Sequence, residues 1–141
     1  MQTGLDFSVI AQNITHFLIG RYPSGPLGGV ALTLYLAVVA LILSFIGGLI
    51  LGLMCVARTR LIRYPTLVVV NAIRGVPLLM VIFWMYFLLP AVLGYKTPES
   101  WTVIAALTIF TSAYMSQIVQ AGIEGIPRGQ TEAALSTGLS H

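Results

Sequence analysis

Few residues in this chain of 141 could do chemistry, and their spacing says more than their number. The carboxylates are Asp6, Glu99, Glu124 and Glu132; the histidines are His16 and His141; Cys55 is the only cysteine. None of them stands at metal-ligand spacing, pairs a nucleophile with a base, or sits in a glycine-rich phosphate loop. The chain therefore offers no catalytic residues and no metal site, and it does not read as an enzyme unless a partner supplies the active site. One constellation differs. Thr102, Ala106, Ala113, Gln117, Gln120 and Glu124 fall on one face of a helix at about 100° per residue. Small residues fill one half of that face, and two amides and a carboxylate fill the other. Amides in hydrocarbon need partners, so this face must either hydrogen-bond to another helix or line a polar path.

The elements that position this face are membrane helices. Hydrophobic residues make up 57% of the chain and charged residues 8%, with a mean hydropathy of +0.95. A soluble domain carries about a quarter charged residues, so this is an all-α membrane protein in composition. Net charge is +3, and Arg58, Arg60 and Arg63 form the one tight cluster. A cluster this small sets topology and is no nucleic-acid surface. Cys55, among Met54, Val56 and Ala57, reads as a small buried residue.

Residues 1–26 form an N-terminal periplasmic or interfacial segment. Phe7, Ile10, Ala11, Ile14, Phe17 and Leu18 recur at helical spacing, as in a helix lying on the membrane surface, with His16 at the interface. Tyr22-Pro23-Ser24-Gly25-Pro26 is a turn sequence. No cleavable signal peptide is expected, because no basic residue precedes Asp6 and the first long apolar run begins near residue 27.

Spanning helices are expected at about 28–57, 66–89 and 101–123. The first would be about 45 Å long, more than the roughly 30 Å hydrocarbon core. Its Gly47, Gly48 and Gly52 allow another helix to approach closely. In the second, Arg74 stands early enough to reach the interface or meet the protein's own loops, and Pro77 should distort the helix. The arginines at 58–63 outweigh Lys96 with Glu99, so residues 58–65 and 124–141 should be cytoplasmic, with the N-terminus outside. After Gly122 and Gly125, Pro127 suits a first helical turn, and Glu132-Ala133-Ala134-Leu135 are strong helix formers. A short helix with small alanines on one side can enter a groove on another protein.

With these motifs in place, residues 28–141 resemble the membrane permease subunits of bacterial ABC importers of the polar amino acid group. Glu132-Ala133-Ala134-x-x-x-Gly138 on a cytoplasmic loop resembles the family's EAA motif, and Ile126-Pro127-Arg128-Gly129-Gln130 resembles its run-up. Ile73-Arg74-Gly75-Val76-Pro77-Leu78-Leu79, Thr33-Leu34 and Ala113-Tyr114 fit the same pattern in the same order. The resemblance implies ATPase coupling through Gly129, Gln130, Glu132, Ala133, Ala134 and Gly138. It also implies a substrate path at Ala113, Tyr114, Gln117 and Gln120, and a structural role for Arg74, Gly75 and Pro77. The implied partners are ABC ATPase subunits carrying ATP and Mg, a second permease subunit in a homo- or heterodimer, and a periplasmic amino-acid-binding protein. The implied location is the bacterial inner membrane, as a multi-pass protein.

Two departures stand out. The family has about five spanning helices, each some 20 residues long, whereas three are expected here, so residues 27–141 read as a partial permease domain whose coupling loop is incomplete. Where the family commonly has Glu and, three positions later, Arg, this chain has Gln117 and Gln120. Together these amides could hydrogen-bond without a salt bridge, which favours an acidic or neutral amino acid over a basic one. The alternative from a different class is a small three-span scaffold or interaction protein without transport activity.

Overall fold

The computed structural model describes residues 7–95 and 97–138, with the backbone alone for residues 7–12 and Arg128. Asp6, Lys96 and His141 lie outside the described residues, as do the side chains of Phe7, Ile10 and Ala11. The described chain runs α1 (Phe7–Ile19), α2 (Gly29–Cys55), α3 (Arg60–Arg74), α4 (Leu78–Leu93), α5 (Glu99–Glu124) and α6 (Arg128–Ser136). It separates into two compact units, residues 1–39 and 40–141.

In the first unit α1 stops at a glycine. Gly20 takes φ 68°, its N–H bonds the His16 carbonyl at 3.0 Å, and the His16 ring donates from Nδ1 to the Gly20 carbonyl at 3.0 Å. His16 therefore serves the helix end, where left-handed glycine is the ordinary stop. The chain returns so closely that a Cβ on Gly29 (φ 59°) would collide with the Phe17 carbonyl.

The second unit is built around α5. In α2, residues Ala40, Ser44, Gly48, Gly52 and Cys55 are buried, one small residue per turn. On α5 the buried residues are Thr102, Ile104, Ala106, Ser112, Ala113 and Ser116. A Cβ on Gly47 would stand 2.5 Å from Ser112 Oγ, one on Gly48 2.5 Å from Met115 Cβ, and one on Gly52 2.5 Å from Val119 Cβ. Membrane helices gain little hydrophobic free energy by pairing, so such close backbone approach is what holds them. Two buried hydroxyls on α5 find carbonyls: Ser112 Oγ donates to that of Ser44 at 3.3 Å and Ser116 Oγ to that of Ala113 at 2.8 Å, whereas Thr108 Oγ1 is buried without a partner among the described residues. Cys55, Val70 and Ala113 form the fully buried point where α2, α3 and α5 meet, flanked by Leu51, Leu67 and Ile73.

The expected second span, 66–89, is not one helix. The first of its two parts, α3, begins upstream at Arg60, so Arg60 and Arg63 lie in its first turns rather than in a loop, and Pro65 lies inside it. The proline removes one N–H from the helix. The carbonyl left over is that of Leu61, whose residue is 84% exposed, so water or headgroups can satisfy it. Beyond distorting the helix, Pro77 ends it. Val76, which precedes it, is steered out of the α region, and α4 leaves at 105° to α3. By length and composition α2 and α5 can each cross a membrane, and α3 with α4 make a third crossing if the bent pair acts as one. Past Pro90, α4 continues to Leu93 and closes on left-handed Gly94, whose N–H bonds the Pro90 carbonyl at 2.9 Å.

Gly52→Leu should lower the stability of the full-length protein by about 1–3 kcal/mol through overpacking against Val119. Gly122→Ala meets nothing within 4 Å and should gain about 0.5–1 kcal/mol of helix propensity. Thermal unfolding in detergent checks both, and a Gly52→Leu melting curve like the parent's would refute the close α2–α5 seam.

Candidate functional site

The polar stripe on α5 changes character along its length. Thr102, Ala106 and Ala113 are buried against neighbouring helices. Ala113, expected on a substrate path, sits in the core with Cys55 and Val70, so a ligand on the open face of α5 cannot touch it. Tyr114, by contrast, is 42% exposed. Its ring lies 4.8 Å from that of Phe110, and its hydroxyl donates to the Arg74 carbonyl at 3.3 Å. The Arg74 guanidinium carbon lies 5.3 Å from the Tyr114 ring centroid, within cation–π range.

Toward the end of α5 the amides form a chain. Gln117 Nε2 donates to Gln120 Oε1 at 3.2 Å, and Gln120 Nε2 donates to Glu124 Oε1 at 3.2 Å. Arg63 Nη2 stands 3.8 Å from the same Glu124 oxygen, tying the first turns of α3 to the last turn of α5. At 46% and 50% side-chain exposure this is a solvated pair that contributes less than about 1 kcal/mol. The expected hydrogen bond between Gln117 and Gln120 is present, and it continues into a charged terminus that sequence reasoning did not connect to Arg63.

The handover from α5 to α6 repeats the break between α3 and α4. Arg74-Gly75-Val76-Pro77 and Glu124-Gly125-Ile126-Pro127 take nearly the same backbone: Gly75 and Gly125 at φ −75°, Pro77 at φ −62°, ψ 143° and Pro127 at φ −59°, ψ 138°. Each glycine N–H closes the helix before it, onto the Asn71 carbonyl at 2.9 Å and the Ala121 carbonyl at 2.8 Å. Each proline sits just before a new helix, where it has no N–H to lose. This shared Gly-x-Pro spacing was readable in the sequence but went unnoticed there.

Beyond the break, α6 carries Gly129, Gln130, Glu132, Ala133 and Ala134, with Gly138 just past its end at φ 85°. Every one of these is exposed except half-buried Ala134. Ser136 Oγ donates to the Glu132 carbonyl at 2.8 Å, and Thr137 Oγ1 donates to the Ala134 carbonyl at 2.8 Å, closing the short helix from within. At the opposite end of α5, a cavity of about 330 Å³ is lined by Tyr86, Phe87, Pro90, Thr97, Glu99 and Thr102. Among the described residues no group of three or more histidine, cysteine, aspartate or glutamate side chains could hold a metal ion.

Known proteins share this architecture. The model of the binding-protein-dependent transport system inner membrane component family matches residues 44–141. The probable glutamine ABC transporter permease protein GlnP of Bacillus subtilis (strain 168) is 43% identical over 113 residues, 80% of this chain and 51% of its own length. The arginine transport system permease protein ArtQ of the same organism is 35% identical over 137 residues, 97% of this chain and 58% of its own. A crystal structure of an amino acid ABC transporter with histidines superposes with a TM-score of 0.80 at 30% identity, covering 98% of this chain and 60% of that one. The chain thus spans a little over half the length of these relatives. With the last turns of α2, the bent α3–α4 pair, α5 and the exposed α6 inside the matched stretch, the chain belongs to the family of binding-protein-dependent transport system inner membrane components.

Proposed function

We propose that the chain is part of the membrane-spanning permease subunit of an ATP-driven amino acid importer and couples to its ATPase through α6. The observation carrying this reading is an exposed helix bearing Glu132-Ala133-Ala134, joined by a three-residue break to the helix with the polar stripe, inside the family-matched stretch. In this reading a periplasmic binding protein delivers an amino acid to the outer face. A second permease subunit, identical or different, completes the path, and ATP with Mg binds the ATPase partner. Residues 58–65 and 124–141 face the cytoplasm and the N-terminus faces outward.

Mechanically, ATPase closure displaces α6. A helix of nine residues, closed within itself, moves as a body. Gly125–Pro127 passes that displacement to α5, and open space around Gly122 lets the last turns of α5 follow. The Gln117–Gln120–Glu124 chain then moves with the backbone that carries it. Gly129, Gln130, Ala133 and Ala134 give α6 a low surface that fits a groove, and Glu132 supplies its charge. No observation favours the alternative of a three-span scaffold without transport.

Glu132→Lys in the full-length protein should cut ATP-dependent uptake at least tenfold and weaken ATPase assembly, with membrane insertion kept. Uptake and co-purification measure this, and normal values for the variant would defeat the coupling role. Ala133→Cys should form a crosslink to the ATPase, for which the native Cys55 is too buried to compete; a transporting complex that yields no adduct argues against α6 docking. Because Gln117 and Gln120 carry no charge, uptake should favour neutral or acidic amino acids such as L-glutamine and L-glutamate. Tight competition by L-arginine or L-lysine in a tritiated-uptake assay would overturn that preference.

A further inference from the structure

We infer that Arg74 recognises the cargo's carboxylate, holding the α-carboxylate of an amino acid partway across the membrane beside Tyr114 and Gln117. The inference rests on the amino acid permease reading above and adds to it the group that selects for a carboxylate.

The first observation is depth. Arg74 packs on Tyr114, ten residues before the end of α5 at Glu124 and fifteen after its start at Glu99. At 1.5 Å per residue these are about 15 Å and about 22 Å, so the guanidinium lies near the middle of a helix long enough to cross a bilayer. The sequence alone placed Arg74 in the early turns of a span, within reach of the interface. The break at Gly75–Pro77 puts it instead at the inner corner of a broken helix, the kind of site where transporters hold polar ligands.

The second observation is the missing counter-charge. Arg74 Nε is buried without a hydrogen-bond partner, and among the described residues the one ion pair is Arg63 with Glu124. An arginine at this depth is costly unless paired. The Tyr114 ring and the C-terminal end of α3 offset part of that cost, since both favour a cation. Neither accepts the in-plane N–H donors of the guanidinium, whose fork matches a carboxylate in a bidentate pair.

The third observation is the neighbouring polarity. Tyr114 anchors to the Arg74 backbone through its hydroxyl, which fixes ring and cation together. One turn further along α5, Gln117 spends its amide donor on Gln120. That leaves Gln117 Oε1 as an acceptor, the complement of an α-ammonium. A cation and, one turn along α5 from the ring it packs on, an open carbonyl together suit the zwitterionic end common to all amino acids, whatever their side chain.

The test uses the full-length permease with its ATPase in detergent, without the binding protein, so that any selection belongs to the membrane subunit. Tritiated L-glutamine, L-glutamate and L-arginine are each competed with their own α-carboxamides. The parent should prefer the acid over the carboxamide at least tenfold. Arg74→Gln should weaken binding at least tenfold and bring that preference close to one. Arg74→Lys keeps the charge but loses the fork, so it should bind at least threefold more weakly and still favour the acid. This variant reports if Arg74→Gln does not fold, and parent-like affinity in Arg74→Lys then overturns the assignment. A parent that binds none of the three overturns the amino acid reading and this site with it. A parent that binds one of them, with Arg74→Gln binding as tightly or keeping the preference, overturns the site alone. A carboxylate supplied by another part of the protein would appear as a lower melting temperature with binding and preference unchanged, which also overturns it.

Discussion

The structure depends on the absence of a hydrophobic force between helices that already lie in hydrocarbon. What replaces it is close backbone approach, and the seam of Ala40, Ser44, Gly48 and Gly52 on α2 against Ser112, Met115, Ser116 and Val119 on α5 provides it. Because the seam leaves no room for a Cβ at three glycines, the register of the two helices has one solution. That register presents the other faces of α5 to α3 and α4, and it fixes where Tyr114 and Gln117 point. Large apolar side chains such as Leu34, Leu41, Phe83 and Phe87 remain outward, the expected distribution for a surface solvated by lipid or by further helices.

The second organising device is the break made twice from glycine, one apolar residue and proline. Proline disfavours helix at the residue before it and tolerates helix after it, and with a glycine two residues ahead of it the break is sharp. Glycine lets the preceding helix close its last N–H without a side chain in the way. At Gly75–Pro77 the device sits in the middle of the packed unit and turns the chain through 105°. At Gly125–Pro127 it precedes the short α6, whose described side chains are exposed except half-buried Ala134. One local chemistry thus serves a packed corner in one place and leads into an exposed helix in the other, and the difference lies in the packing around it.

Much of this was legible in the sequence. The small residues of α2, the amide stripe of α5 and the helix-forming run at Glu132–Leu135 all follow from spacing and residue type, and each occurs where that spacing puts it. The length of α3 was not legible. The expected span starts at about residue 66, just past Pro65, yet exposure at Leu61 lets the helix tolerate the proline and begin at Arg60. Arg63 therefore faces Glu124, a contact between residues sixty-one positions apart that no local pattern encodes. The burial of Ala113 was hidden for the same reason: the motif that makes it conspicuous says nothing about which neighbour covers it.

The resulting charge distribution has a direction. At the Glu124 end of α5, Arg63, Glu124, Gln120 and Gln117 are joined by two hydrogen bonds and one solvated ion pair, the last of them weak by nature. Ten residues further into the helix, Arg74 is held by an aromatic face and a helix end but has no anion beside it. Gln117, one turn along α5 from Tyr114, is uncharged, so the polar stripe there supplies Arg74 with no anion of its own.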